Sequence, residues 1–228
     1  MELKQIAHIE CPYATKFGVP RQAGLVESRA RVVFEPDYRV AEAVRGLEGF
    51  DYVWLLWGFH LNGRQEWSPT VRPPRLGGNK RVGVFATRSP YRPNAVGLSS
   101  VRLVGVESDG GRGPVLVVEG ADLVDGTPIY DIKPYIAYAD SHPDARSGFA
   151  QEAPAAALDV DDPRGLLASL PAAMATALRQ SLAQDPRPHY QDDPDRRYAM
   201  LFGDWEVKFF VAGKTLTIDS LERKGAAC

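Results

Sequence analysis

VRLVGVESDGGRGPVLVVEG, residues 101–120, decides between two kinds of fold. A glycine-rich turn after a strand is the mark of dinucleotide-type folds, where the turn opens a helix and its backbone meets a phosphate. Here both flanks, VRLVGVE and VLVVEG, are short, apolar and rich in valine, and neither has helical spacing. The turn therefore joins strand to strand and reads as a hairpin loop. No GKS or GKT follows any glycine run, so a P-loop is absent too.

Working outward, LKQIAHIE (3–10) and ARVVFE (30–35) read as strands. Pro36–Asp37 opens a short helix with Tyr38, Ala41, Ala43 and Val44 on its apolar side and Gly46 as its stop. DYVWLLWGFH (51–60) is almost continuously apolar, which predicts a strand buried on both faces before the polar His60, Asn62 and Arg64. VGVFA (82–86) reads as a short buried strand between two segments broken by proline and glycine. In DLVDGTPIYDIKPYI (122–136) a turn at Asp125–Gly126 leads into another strand. Six or more strands with one short helix predict a mainly β main domain, closed or nearly closed into a barrel.

Beyond it, residues 140–162 turn to Ser, Pro, Asp and Ala and read as a linker. Leu166, Leu170, Met174, Leu178 and Leu182 recur every four residues, a helical region that Pro171 splits in two. YAMLFGDWEVKFFVAGKTLTID (198–219) reads as three strands turning at Gly203–Asp204 and Ala212–Gly213. The expected organisation is a barrel domain over 1–145 and a small α+β domain over 146–228.

The chain has 228 residues, 44% hydrophobic and 25% charged, as in ordinary water-soluble domains. No apolar run is long enough to span a bilayer, and MELKQIAHIE lacks a signal-peptide layout, so no membrane and a cytoplasmic location are expected. Cys11 and Cys228 are the only cysteines, and His8, His60, His142 and His189 lie far apart, so no metal site is expected. His8 and His142 read as structural, whereas His60 and His189 each sit where a regular segment gives way to an irregular one. There is no GxSxG elbow, and Ser99 and Ser100 have no evident base.

The net charge of −2 hides a concentration of positive charge. Arg72, Arg75, Lys80, Arg81, Arg88 and Arg92 fall in one stretch without an acidic residue. Taking these six from the 27 lysines and arginines leaves 21 against 29 acidic residues. A stiff Pro- and Gly-rich loop holding guanidinium groups suits phosphate or carboxylate, and a basic patch on an acidic body can steer a polyanion. Three loops share this chemistry: VPRQAGL with Arg21 and Gln22, ATRSPYRPN with Arg88, Tyr91 and Asn94, and LVDGTPIYDIKPY with Asp125, Thr127 and backbone groups freed by its turn. Converging at one end of a barrel, they could hold a zwitterion carrying an aromatic base.

VPRQAGL (19–25), VRGLEGFDYVWLLWGFH (44–60), PTVRPPRLGGNKRVGVFATRSPYRPNAVGLS (69–99), ADLVDGTPIYDIKPY (121–135) and AQDPRPHY (183–190) closely resemble the TsaA-like, or TrmO, family of S-adenosylmethionine-dependent tRNA methyltransferases. The resemblance covers nearly the whole chain in order. It implies methylation of N6 of threonylcarbamoyladenosine at tRNA position 37, beside the anticodon, by a homodimer with a β-barrel main domain. By the same resemblance, S-adenosylmethionine meets Pro20, Arg21, Gln22, His60, Leu61, Arg88, Leu98 and the turn Asp125, Gly126, Thr127 and Pro128. Leu61 offers only backbone and apolar contact. Arg72, Arg75, Lys80, Arg81 and Arg92 fall to tRNA. DPRPHY (185–190) resembles a segment placed to meet tRNA, which adds Arg187.

The reaction requires in-line attack of a poor nitrogen nucleophile on a sulfonium methyl group, aligned at roughly 3–3.5 Å. His60, Asp125 and Tyr190 are the candidates for taking a proton, and proton loss to water stays open. Two other readings remain: a nucleic-acid-binding module without turnover, and a methyltransferase of the same family with another acceptor.

Overall fold

Inward-facing apolar side chains on six strands fix the first domain of this computed structural model, which describes residues 2–63, 66–73, 76–151, 158–187 and 193–224. The strands are β1 (Ala7–Glu10), β2 (Arg29–Phe34), β3 (Tyr52–Gly58), β6 (Val96–Ser108), β7 (Pro114–Glu119) and β8 (Pro128–Pro134). They close in the order β1-β2-β7-β6-β3-β8, every neighbouring pair antiparallel, so no barrel edge is left unpaired. Ile9, Val32, Val53, Leu55, Leu116, Val118 and Ile129 have no exposed surface and fill the interior. Each such side chain stabilises the fold by about 1.5–3 kcal/mol through burial.

The hairpin expected from residues 101–120 is β6–β7, and its glycine-rich connection contains a 3-10 turn, Gly110–Arg112. β6 is the long strand of the barrel. Its first half pairs with β3 and its second with β7, with a register shift between Leu103 and Gly105 where the strand bends around the corner. Two short strands, β4 (Thr70–Val71) and β5 (Val82–Gly83), form a separate ribbon inside the basic loop.

The second domain is a sheet in the order β10-β11-β12-β9, from β9 (Asp159–Asp161), β10 (Tyr198–Phe202), β11 (Trp205–Ala212) and β12 (Thr215–Arg223). It packs with α2 (Ala172–Ala183), which begins after Pro171 and buries Ala177, Leu178, Ser181 and Leu182. A small helix, α1 (Ala137–Asp140), follows the barrel.

Four expectations are corrected. The segment after Pro36 forms three 3-10 turns, Pro36–Tyr38, Ala41–Val44 and Leu47–Gly49; Gly46 at φ +84° interrupts any longer helix. β3 is buried on one face only: Val53, Leu55 and Trp57 are buried, while Trp54 and Leu56 are half-buried on the outer face. The apolar run at 82–86 is a two-residue strand followed by a 3-10 turn, with Val84 buried and Phe85 73% exposed. The expected linker contains β9, an edge strand parallel to β12. Its Asp-Val-Asp sequence carries no local signal for a pairing made with residues some 55 positions later.

The first connection of the barrel, residues 11–28, belongs to both domains. Tyr13 and Val26 are buried in the second core, with Phe17 and Val19 packed against it. The Tyr13 hydroxyl is 2.9 Å from Ser181 Oγ of α2, and its ring meets Phe202 edge-on at 5.4 Å. Gly18 sits at φ +91° so close to Met200 that a Cβ there would lie 2.1 Å from the sulfur. The Glu27 N–H donates to Gln180 Oε1 at 2.7 Å, and the Gly203 N–H to the Pro12 carbonyl at 2.7 Å.

Candidate active site

Two adjoining cavities open at one end of the barrel around Trp57, Phe59 and Asp122, which line both. One, of about 340 Å³, takes Pro20, Arg21 and Gln22 from the first connection, Thr87, Arg88 and Arg92 from the basic loop, and Trp54 and Leu98 from the outer faces of β3 and β6. The other, of about 360 Å³, takes Lys16, Val19, His60, Leu61, Tyr91 and Thr127. Trp57 and Phe59 form an aromatic partition, ring centroids 4.4 Å apart at 62°. Trp57 keeps its place because it pairs with Gly97, where any Cβ would lie 2.3 Å from the indole ring. The Trp54 indole is oriented by a hydrogen bond to Asp140 Oδ2, 3.0 Å.

Of the residues expected at the methyl donor, Pro20, Arg21, Gln22, Arg88 and Leu98 meet in the first cavity and His60, Leu61 and Thr127 in the second. The Arg88 guanidinium donates to Gln22 Oε1, tying the two loops together. Lys16 Nζ donates to the Leu61 carbonyl at 2.5 Å. His60 is largely exposed, and the partial loss of water around its ring, helped by the positive charge of Lys16, holds it below its ordinary pKa against the pull of the Gly58 carbonyl.

The DGTP turn differs from the expectation of free backbone groups. The N–H groups of Asp125, Gly126 and Thr127 donate to the carbonyls of Tyr13, Ile9 and Val124 at 2.8, 2.8 and 3.2 Å. Asp125 Oδ1 accepts the Cys11 N–H at 2.8 Å. The turn fastens β8 to β1 and to the first connection, and of its four residues Thr127 alone lines either cavity.

Among the expected tRNA contacts, Arg72, Lys80 and Arg81 lie exposed along the basic loop, Arg81 donating to Thr70 Oγ1 at 2.9 Å. Arg92 is half-buried; it donates to the Thr87 carbonyl at 2.7 Å and lies 5.8 Å from the Phe85 ring, which makes it a staple of its own loop. Arg187 is held by Asp185 through two bonds, 2.8 and 3.0 Å, beside a groove that Lys16 and Arg21 also line. Arg75, His189 and Tyr190 lie outside the described residues.

Sequence reasoning missed Trp57, Phe59 and Asp122. It also left Ser99 without a partner, whereas the Ser99 hydroxyl donates to Asp122 Oδ1 at 2.5 Å and accepts the Trp57 indole N–H at 3.0 Å. The signal available in the sequence was an acid set between the apolar Ala121 and Leu123, which the fold buries. Asp122 is set into the wall, and burial pushes its carboxyl above the ordinary range. The Ser99 hydroxyl, its own N–H, the Arg88 charge and the Ala23 N–H pull it back.

A larger cleft of about 540 Å³ lies at the seam of β1, β2 and α2. Its arginines are already paired, Arg29 with Glu119 at 3.9 Å and Arg31 with Asp109 at 2.6 Å, and no residue expected at a site lines it. Among the described residues no cluster of three or more metal-ligating side chains occurs. Nor is any helix there long and apolar enough to cross a membrane.

A closed antiparallel barrel whose end gathers cations, an aromatic partition and one inset carboxylate defines a ligand-binding barrel protein outside the dinucleotide folds. The family model of the tRNA-methyltransferase O N-terminal domain matches residues 8–141, and that of the TrmO C-terminal domain matches residues 161–224. The chain belongs to the TrmO family. It is 43% identical over 231 residues, 97% of each chain, to the tRNA (adenine(37)-N6)-methyltransferase of Escherichia coli strain K12. A protein of Methanothermobacter thermautotrophicus named a probable S-adenosyl-L-methionine-binding protein is 34% identical over 141 residues, 62% of this chain and 94% of its own. A crystal structure of TrmO from Pseudomonas aeruginosa superposes with a TM-score of 0.78 at 32% identity, covering 97% of this chain and 98% of that one.

Proposed function

We infer that the chain methylates the exocyclic N6 of adenine 37 in tRNA with S-adenosylmethionine as donor, on a base that carries the threonylcarbamoyl group implied by the family resemblance. The observation that carries this reading is the meeting of Arg21, Gln22, Arg88, His60 and Leu61 around Trp57 in a chain of this family. The wall chemistry fits the donor. Trp54, Trp57 and Phe59 offer faces for an adenine ring, and Arg21 and Arg88 offer guanidinium groups for a carboxylate. S-adenosylmethionine supplies an electrophilic methyl group on a sulfonium.

The rest falls to the protein. The N6 lone pair is delocalised, so the walls must hold nitrogen in line with the methyl carbon, and aromatic surfaces that exclude water assist that alignment. Arg72, Lys80 and Arg81 project from the basic loop toward an RNA backbone, and adenine 37 reaches the cavity unstacked from its loop.

A homodimer reading the anticodon loop across both subunits accords with the outer face of β3 and β6. Tyr52 and Leu98 are 44% and 53% exposed beside Trp54, and the first cavity opens onto this strip. Leu98→Asp should turn a dimer into monomers in sedimentation experiments; an unchanged mass would remove this face from the interface.

Mass spectrometry of tRNA nucleosides after incubation with and without the donor tests the reaction. Donor-dependent N6-methylation is expected, while binding of tRNA without methylation would leave a clamp. Arg88→Ala should weaken calorimetric binding of S-adenosylhomocysteine about tenfold or more, as for a lost charge-assisted hydrogen bond.

A further inference from the structure

Adenine N6 carries a hydrogen that the methylated product lacks, so one proton must leave during transfer. The cavity walls hold few groups able to receive it. Among the described residues their charged side chains are Lys16, Arg21, Arg88 and Arg92, all cationic, with His60 at one mouth, and Asp122 is the one carboxylate. Of the described residues it is also the only ionisable one common to both cavities, where a donor in one and an acceptor in the other would meet.

We propose that Asp122 accepts the N6 proton as the methyl group is transferred, positioned by Ser99 and Trp57. The claim rests on the methyltransferase reading above. The N6 lone pair forms the new N–C bond, and the C–S bond breaks with its electron pair staying on sulfur as a neutral thioether. The N–H electron pair stays on nitrogen while the proton passes to Asp122, and from there to water at the cavity mouth.

The surroundings suit this role. The relay from the Trp57 indole through the Ser99 hydroxyl fixes Oδ1. A carboxylate has about four lone-pair positions. The Ser99 hydroxyl takes one of them on Oδ1, so a further donor can be received. Facing groups are Ser99 on β6, Trp57 on β3, Arg88 and Arg92 on the basic loop, Lys16 and Arg21 on the first connection, and His60 beyond β3. Burial outweighs the Ser99 bond and the pull of the Arg88 charge, and raises the carboxyl above its ordinary value. A base shifted toward the working pH is the more effective proton acceptor.

The test compares the full-length chain with Asp122→Asn, Ser99→Ala and His60→Gln. Asp122→Asn should lower kcat on the order of 100-fold, with KM for tRNA and calorimetric affinity for S-adenosylhomocysteine kept within about threefold. The rising limb of log kcat against pH should vanish in Asp122→Asn. In Ser99→Ala it should move to higher pH, because a bond favouring the carboxylate is gone. Stability supplies a readout independent of turnover. A carboxyl raised by folding binds more protons in the native state, so wild type loses stability relative to Asp122→Asn as pH climbs from about 4 through the native value.

A kcat for Asp122→Asn within about threefold of wild type overturns the proposal. So does a loss of S-adenosylhomocysteine binding that matches the loss of kcat, or a rising limb that disappears in His60→Gln instead. If wild type binds S-adenosylhomocysteine but methylates no tRNA, the methyltransferase reading falls and Asp122 with it. An active wild type with an unaffected Asp122→Asn strikes Asp122 alone.

Discussion

Residues 11–28 and 66–95 face each other across one cavity, joined by the bond from Arg88 to Gln22, yet they are held by different forces. The first connection runs through a hydrophobic core. Tyr13 and Val26 are 1% exposed, Phe17 stacks on Phe209 at 6.5 Å, and Gly18 seats the chain against Met200. The basic loop has little core of its own. Among its described residues only Pro73 and Val84 are buried, and polar bonds hold it: Ser68 N–H to the Tyr91 carbonyl, Val84 N–H to Pro69, Thr87 Oγ1 to Val84 and Arg92 to Thr87. Apolar burial sets one wall as firmly as the second domain is folded. Exposed polar bonds let the other open at lower cost. That suits a small ligand gripped from one side and a large, charged one admitted from the other.

Tyr13→Ala should break the comparison at its strongest point. Losing a buried aromatic ring costs about 3–5 kcal/mol, and Ser181 of α2 loses the Tyr13 hydroxyl, keeping its bond to the Ala177 carbonyl. Denaturant titration should show that loss, and affinity for S-adenosylhomocysteine should fall with it, because Pro20–Gln22 lose their backing. Tyr13→Phe should keep the affinity at roughly 1 kcal/mol of stability. Undiminished affinity in Tyr13→Ala would mean that the first wall stands without the second domain.

Arg92→Ala probes the other wall at a smaller scale. Its guanidinium donates to the Thr87 carbonyl and packs near Phe85, all within one loop. Removing a charged donor from a half-buried carbonyl forfeits about 1.5–3 kcal/mol locally. Amide exchange at Thr87 should quicken about tenfold or more while the global midpoint stays put. Arg92→Lys should restore little, since an ammonium cannot reproduce the guanidinium fork. A global shift equal to the local one would show that the loop folds with the barrel core.

The two walls were not equally legible in the sequence. Valine-rich strands with tight turns gave the barrel, because alternation and turn chemistry are local properties: β6, β7 and the turn at Asp125–Gly126 follow from them directly. Leu178 and Leu182 marked α2 by spacing alone. The sharing of residues 11–28 between domains was not visible, because Tyr13 and Ser181 are 168 positions apart. Motif resemblance brought Arg21, Gln22, Arg88 and His60 to the site, but it did not single out Asp122, set into the cavity wall three residues before Asp125, whose Oδ1 accepts the Cys11 N–H away from both cavities. The basic stretch was equally ambiguous: charge counting treated Arg92 like Arg72, whereas the fold uses Arg92 as a staple and leaves Arg72 exposed.

The smallest effect on the fold, and the sharpest on function, belongs to Arg72→Glu combined with Lys80→Glu. Both positions are exposed, so unfolding free energy should change by no more than about 0.5 kcal/mol. Affinity for S-adenosylhomocysteine should hold as well, since neither residue lines either cavity. The change should appear in the salt dependence of KM for tRNA. Each phosphate contact to a single-stranded segment contributes roughly 0.7 to the slope of log K against log salt, so losing two should flatten it by roughly 1.4. Arg81 is the internal contrast: its bond to Thr70 Oγ1 spans the β4–β5 ribbon, so Arg81→Glu should disturb loop exchange as well as the slope. An unchanged slope in the double variant would put tRNA on another face. A flattened slope with weakened S-adenosylhomocysteine binding would mean that the two walls cannot be treated separately.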